Sequence, residues 1–397
     1  MLNKNDAVIV DVLRTAGGKR GGALSGWHPA DLAGTVLSAL VDRNGLDPGM
    51  VDDVIMGCVT QVGRQSLNVG RNAVLAAGFP DTVPATTLDR QCGSSQQAAH
   101  FAAQGVIAAA YDIVIAGGVE VMSSTPMGSS RNGEDPFGES VRRRFEPRGG
   151  LVGQGISAEL IAAQWQLSRE ELDNYGLESH RRAASAQDAG RFDREIVGVE
   201  RRLLATGDGA AQTGEIHEKD EGVRPSSSLA ALAKLKPAFK DDGVVTAGTS
   251  SQICDGASAA LIMSAKTAEA LNLQPRARFH TFAIAGVDPV MMLTGPIPAT
   301  QKALEKSGLK MEDIDLFEVN EAFASVVLAW AAALGADLSK TNVNGGAIAL
   351  GHPLGASGTR LIGTLLNELE RIDGRYGLVT MCEGGGMANA TIIERIS

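Results

Sequence analysis

Aromatic residues make up only 4% of the 397-residue chain, too few for the stacking platforms that hold single-stranded nucleic acid. An excess of basic charge is also missing. Lys and Arg number 36 against 46 Asp and Glu, a formal net charge of −10. Such a surface repels polyanions as a whole, so a phosphate-bearing ligand needs a local basic patch. The four cysteines, at positions 58, 92, 254 and 382, include no Cys-x-x-Cys pair, which indicates neither a zinc site nor a disulfide framework. No apolar run approaches the ~18 residues of a membrane span. The opening Met1-Leu2-Asn3-Lys4-Asn5-Asp6 lacks the apolar core of a signal peptide. Together these absences lead to the expectation of a cytoplasmic protein with reduced thiols and no nucleic-acid partner.

Glycine, by contrast, is abundant. Its 48 residues exceed the usual ~7% and cluster in a few turns. The apolar pattern alternates between short continuous strands, such as Ala7–Val10, Val51–Cys58, Ala85–Asp89 and Asp112–Ala116, and amphipathic helices, such as Ala30–Asn44. A glycine-laden loop from Arg14 to Gly26 follows the first of these strands, and Gly117-Gly118 ends the last. The helix after Cys92 is expected to bury Ala98, Phe101, Ala102 and Val106. Towards the C-terminus the same grammar recurs. A strand at Asp315–Val319 and a helix at Ala322–Leu334 lead to a histidine loop, a helix with Leu361, Leu365 and Leu369 on one face, and strands at Tyr376–Met381 and Ala390–Ile393. In both halves a glycine-rich loop feeds a helix, then an apolar strand, then Gly-Gly. This is a duplicated α/β arrangement with sheets covered on both faces. Residues 123–244 differ in composition, with 17 Lys and Arg, 20 Asp and Glu, and a polar stretch around Arg142-Arg143-Arg144 that suits a solvated face. Ser168 and Glu171 form a capping-box signature there. The region is expected to be an inserted loop domain.

Three turns carry chemistry. Asp89-Arg90-Gln91-Cys92-Gly93-Ser94-Ser95 sets a thiol where a strand becomes a helix, and a helix N-terminus lowers thiol pKa. Gly345-Gly346-Ala347-Ile348-Ala349-Leu350-Gly351-His352-Pro353 holds an imidazole ahead of a proline that keeps it out of a helix. Met381-Cys382-Glu383-Gly384-Gly385-Gly386 places a second thiol beside glycine N–H groups, the makings of an oxyanion hole. Asn320, in Glu318-Val319-Asn320-Glu321-Ala322-Phe323, sits at a strand-to-helix turn as an N-cap or as an orienter of a histidine or water. Cys58 and Cys254 lie in apolar settings and read as structural.

In their order these motifs resemble the thiolase superfamily over nearly the whole chain. Cys92-Gly93-Ser94-Ser95 is similar to its acylated-cysteine turn, Asn320 to Phe323 to its Asn-Glu-Ala-Phe motif, Gly345 to Gly358 to its histidine signature, and Cys382 to Gly386 to its late Cys-x-Gly-x-Gly. The resemblance implies a thiolase fold: two duplicated halves with mixed sheets in a layered αβαβα arrangement, formed by residues 1–122 with 245–272 and by 273–397, plus the loop domain 123–244. It implies a CoA-dependent acyltransferase that cleaves a 3-ketoacyl-CoA through an acyl-Cys92 intermediate, or runs the reverse Claisen condensation. His352 is then the base, Cys382 the proton carrier, and Asn320 and Gly384 contributors to two oxyanion holes. Arg224 and Ser251 match CoA contacts, CoA is a co-substrate with no permanently bound cofactor, and a homodimer or homotetramer is expected. Biosynthetic acetoacetyl-CoA condensation and a non-catalytic acyl-CoA-binding subunit are the alternatives.

The chain departs from the family in places. Glu383 stands for the usual apolar residue, where its charge would raise the Cys382 pKa or its side chain would point to solvent. Asp89 replaces a common asparagine, Ala388-Asn389 a glycine-led run, and Gln154 a methionine near the acyl pocket. Gly93-Ser94-Ser95 after the nucleophile leans towards breakdown of longer or bulkier lipid and sterol-type acyl groups.

Overall fold

The computed structural model describes residues 3–204 and 210–396. Nine strands form the backbone of one sheet: β1 (Ala7–Thr15), β2 (Asp53–Gly57), β3 (Ala85–Leu88), β4 (Ile113–Val121), β5 (Cys254–Ser264), β6 (Ala277–Gly286), β7 (Leu316–Val319), β8 (Tyr376–Glu383) and β9 (Met387–Arg395). Their order across the sheet is β7-β8-β9-β6-β1-β5-β4-β2-β3. In the first half β3, β2 and β4 are parallel, and β5 and β1 follow antiparallel. The second half repeats this with β7 and β8 parallel and β9 and β6 antiparallel. A parallel bridge from Phe317 to Thr341 stands where β3 stands in the first half. The halves join through two residue pairs of β1 and β6, Val8 with Arg278 and Ile9 with Ala277. The duplication expected from the sequence is therefore present as a mixed α/β fold.

The principal helices are α1 (Pro29–Arg43), α2 (Ser94–Ile107), α3 (Gln154–Gln164), α4 (Arg169–Asp188), α5 (Pro296–Ser307), α6 (Ala324–Leu334) and α7 (Ser357–Ile372). Strand β1 explains the layers. Its Val8, Val10 and Leu13 join the apolar cluster under α1. Its Ala7, Ile9 and Val12 join a different cluster with the inner faces of α2 and α7. A strand buried on both faces needs a continuous apolar run, which is how it reads. On the far side Ala299 and Ala303 of α5 and Val327 and Trp330 of α6 cover the second half. The sequence is thus helix, sheet, the α2–α7 pair, sheet, helix. The inner face of α2 is alanine (98, 99, 102, 103), whereas α7 presents Leu361, Leu365, Leu366 and Leu369. Each buried leucine contributes about 1.5–3 kcal/mol over exposure.

Residues 123–244 contribute only Ile196–Val197 to this sheet among the described residues, paired with β1. They also carry α3, α4 and an antiparallel ribbon of Val199–Leu204 with Ala210–His217. Helix α4 begins with the expected capping box at Ser168 and Glu171, and Arg142, Arg143 and Arg144 are exposed.

Four sequence expectations change. Phe101 is 45% exposed, because the buried stripe of α2 runs through Ala98, Ala99, Ala102 and Ala103 and leaves position 101 at its edge. The second helix starts at Ala324, since Phe323 is extended (φ −148°) and bridges Ser250. Arg14, read as the start of a loop, belongs to β1 and is buried, paired with Glu195 and Asp220 at 2.7 Å each. Gly117-Gly118 does not end its strand, and β4 runs through to Val121. Those glycines admit another backbone: a Cβ on Gly118 would lie 1.9 Å from the Gly355 carbonyl oxygen. Backbone cannot swing aside as a flexible side chain can. Gly118→Ala is therefore expected to cost about 1–3 kcal/mol in chemical denaturation. Gly286→Ala, with open space at its Cβ, should stay within about 0.5 kcal/mol of the parent.

Candidate active site

The turn between β3 and α2 is tight. The Asp89 carboxylate accepts the Gln91 N–H at 2.6 Å, Gln91 takes a left-handed φ of 49°, and the Gly93 and Ser94 N–H groups donate back to Arg90 and Gln91. A non-glycine residue at positive φ is uncommon and costs about 1–3 kcal/mol. Here it throws Cys92 to the position just before Gly93, the N-cap of α2. The thiol is 4% exposed. Sequence reasoning expected the helix terminus to lower its pKa. Burial wins instead: desolvation, then the Glu383 charge, push it up to about 12, opposed by a hydrogen bond from the Gln154 side chain.

His352 is buried and its tautomer follows from its partners. Nδ1 lies 2.5 Å from Ser357 Oγ, and that hydroxyl gives its one proton to the Pro353 carbonyl at 2.9 Å. Nδ1 must then carry a hydrogen, and Nε2 keeps its lone pair. The Asn320 amide nitrogen sits 3.3 Å from Nε2 as donor. Burial, with the nearby Arg360 charge, lowers the imidazole pKa to about 3. The ring is neutral at physiological pH, the form a base requires. Asn320 itself is held at the end of β7 by its N–H to Thr380 O at 3.0 Å, and its Oδ1 is buried without a hydrogen-bond partner among the described residues.

What brings the histidine loop to the cysteine turn is backbone contact. Gly355 lies against Gly57 and Gly118, and a Cβ on Gly358 would lie 2.1 Å from the Gln96 nitrogen. The Ser95 hydroxyl accepts the Thr359 N–H at 3.1 Å. Glu120 fastens the assembly, its carboxylate accepting from the N–H groups of Val59, Thr60 and Gly355 and from the Gln65 amide at 2.8–3.0 Å.

Cys382, at the end of β8, is fully buried, and its pKa is driven well above normal by desolvation, then by Cys92, then by Glu383. The charge of an ionised Cys92 would thus reach Cys382 and oppose its ionisation. A Cβ built on Gly384 would lie 3.0 Å from Gln91 Oε1 and 3.3 Å from Gln154 Nε2, so this glycine stands beside the Gln154 amide that hydrogen-bonds Cys92. Ser251 donates its N–H to Ala322 O at 2.9 Å, next to the Asn320 turn. Gln252 then accepts the His352 N–H and donates to Gly222, Ile348 and Ala349 carbonyls. Arg224, two residues after Gly222, is exposed and gives its N–H to His180 Nδ1. The loops bearing Ser251 and Arg224 thus both attach to the histidine loop. Cys58 and Cys254 are buried, Cys58 4.0 Å from the Glu120 carboxylate and Cys254 against the Leu350 carbonyl.

Sequence reasoning missed Ser357 and Glu120. A carboxylate inside the apolar run Ile113–Val121 was the available signal, since Glu is almost never fully buried without partners.

Models of known families match the chain end to end: the thiolase N-terminal domain over residues 7–266 and the thiolase C-terminal domain over 273–395. The chain belongs to the thiolase family. It is 50% identical over 397 residues to the steroid 3-ketoacyl-CoA thiolase FadA6 of Mycobacterium tuberculosis, covering 98% of this chain and 94% of that one. It is 44% identical to a 3-ketoacyl-CoA thiolase of Psychrobacter arcticus, with both chains fully covered. A crystal structure of the Bacillus anthracis acetyl-CoA acetyltransferase superposes with a TM-score of 0.88 at 39% identity, covering 98% of this chain and 99% of that one.

In this thiolase the histidine tautomer gives a direct test. The His352 ring signals should hold their neutral position by NMR from pH 8 down to pH 5, and a midpoint near 6.5 would contradict the buried arrangement. Ser357→Ala removes the acceptor for Nδ1–H. It should lower kcat by about tenfold or more, without exceeding the 10²–10⁴ that a placed base supplies in all.

Proposed function

We propose that this thiolase cleaves 3-ketoacyl-CoA thioesters by thiolysis, with Cys92 carrying the acyl group. The observation that carries the reading is a pair of buried thiols on glycine turns, the Cys92 charge reaching Cys382, beside a neutral imidazole. His352 Nε2 takes the Cys92 proton as sulfur attacks the 3-keto carbon. The C2–C3 bond then breaks, its electrons pass into the acetyl-CoA enolate, and Cys382 protonates that carbon. Cys382, now a thiolate, takes the proton of a second CoA. That sulfur attacks the acyl-enzyme, Cys92 leaves and recovers its proton from His352, and the shortened acyl-CoA departs. A carbon–carbon cleavage that forms the acyl-enzyme and a thioester exchange that releases it replace one hard step, so ping-pong kinetics follow.

Each oxyanion needs donors. Once protonated, His352 Nε2–H turns from acceptor to donor and, with a water held by Asn320, serves the enolate oxygen. The N–H groups of Cys92 and Gly384 serve the acyl oxygen. Losing one such donor typically costs about 10²–10³ in rate. CoA lies along the loop domain 123–244, with Arg224 at its phosphates and Ser251 at its pantetheine. The other parts are the two halves 1–122 with 245–272 and 273–397. No permanently bound cofactor is needed for this chemistry.

Degradation of lipid or sterol-type acyl chains is the favoured direction. It is supported by the Gly93-Ser94-Ser95 flank and by the printed name of the 50% identical relative. No described helix is long and apolar enough to cross a membrane. We place the enzyme in the cytoplasm as a homodimer or homotetramer.

Incubation with a series of 3-ketoacyl-CoAs should leave an acyl mass on the Cys92 peptide, absent in Cys92→Ala. No adduct at any chain length, with no CoA-dependent cleavage, overturns the reading. The kcat/KM profile across the series separates bulky-chain degradation from acetoacetyl-CoA chemistry.

A further inference from the structure

Glu383 does not point to solvent. It is fully buried, and both carboxyl oxygens lack a hydrogen-bond partner among the described residues. It lies under the first turn of α2. A methyl group built on Gly93 would stand 2.1 Å from Glu383 Oε1 and 2.8 Å from Asn389 Nδ2, and the Asn389 amide is spent on the Gly93 carbonyl at 3.1 Å. Neighbours on a strand face opposite ways. Glu383 therefore faces away from Cys382, and what reaches that thiol from it is its charge.

Glu383 faces few charged or titratable groups. Arg90 and Asp89 act on it from the β3–α2 turn, and it acts on Cys92 of that turn and on Cys382 of its own strand. Its neighbour from β9, Asn389, is neutral, as is Gln154, which lies across Cys92 on α3. An isolated carboxylate in such surroundings is expensive, and the usual escape is to stay protonated. Burial is the first cause raising its pKa to about 8, with Arg90 pulling down and Asp89 pushing up.

We propose that Glu383 is a positioning residue for the protons of the thiol pair: protonated, it leaves Cys92 and Cys382 free to ionise, and ionised, its buried charge holds both thiols protonated. The sign is fixed by repulsion of like charges. As pH rises past the point where Glu383 loses its proton to water, each thiol becomes harder to deprotonate, and gain of thiolate stalls. The proposal rests on Cys92 being the reactive thiol, but its test reads ionisation and not turnover.

The test is the rate of Cys92 alkylation by iodoacetamide against pH, followed on the Cys92 peptide by mass spectrometry in the intact enzyme. For the parent, the logarithm of the rate should rise with unit slope and then flatten near pH 8. By pH 9 it should fall about tenfold below the extrapolated line, the equivalent of one pKa unit. Glu383→Gln should keep unit slope throughout. Arg90→Gln, which removes the cation that favours the ionised carboxylate, should keep the bend and move it to higher pH. A residue needed only for packing would change rates without changing their pH slope. A parent profile with no bend overturns the proposal, as does a bend that survives in Glu383→Gln. If Glu383→Gln does not fold, an Arg90→Gln bend that stays in place overturns it equally.

Discussion

Everything in this molecule depends on how closely two polypeptide backbones approach at its centre. Gly355 rests on Gly57 and Gly118, Gly358 on the start of α2, and none of these contacts leaves room for a Cβ. The approach brings the first turns of two equivalent helices together, one following the cysteine turn and the other the histidine loop. Glu120 holds the junction by accepting four hydrogen bonds. The proposed chemistry needs a sulfur, an imidazole and a second sulfur within reach of one substrate, and this contact gathers three groups that are spread over nearly 300 residues of chain.

The same closeness excludes water, and water exclusion decides the resting charges. Desolvation raises both thiols and lowers the imidazole. The site therefore rests uncharged, with its protons on sulfur and its base unprotonated. In the proposed mechanism, charge forms only when a substrate carbonyl is there to receive it and donors stand ready for the oxyanion. A helix terminus alone is too weak to reverse this, because its half-charge of about 0.5 competes with complete burial.

Much of this was legible in the residues. Cys92, His352, Cys382 and Asn320 announce themselves through fixed neighbours, and the apolar run of β1 correctly signals a strand covered on both sides. Legibility fails where a residue answers to something distant in the chain. Gly117-Gly118 resembles a strand end because nothing local says that Gly355, more than 200 residues later, will lie on it. Arg14 resembles a loop residue until Glu195 and Asp220 close around it. Phe101 fits the helical period of α2, but the true stripe is made of alanines that leave room for α7. At Glu383 the sequence permits two readings, because a strand's alternation fixes the face and not what covers it.

The alanine face of α2 has a consequence for biosynthesis. Strand–helix–strand units of the first half emerge from the ribosome long before residues 357–372, which finally cover that face. Domains assemble as their parts appear, and uncovered apolar surface in the interval invites aggregation. A row of methyl groups offers far less sticky area than the leucines of α7, which arrive last and find their partner already in place. The unequal sizes of the two facing helices thus make the waiting half the less adhesive one.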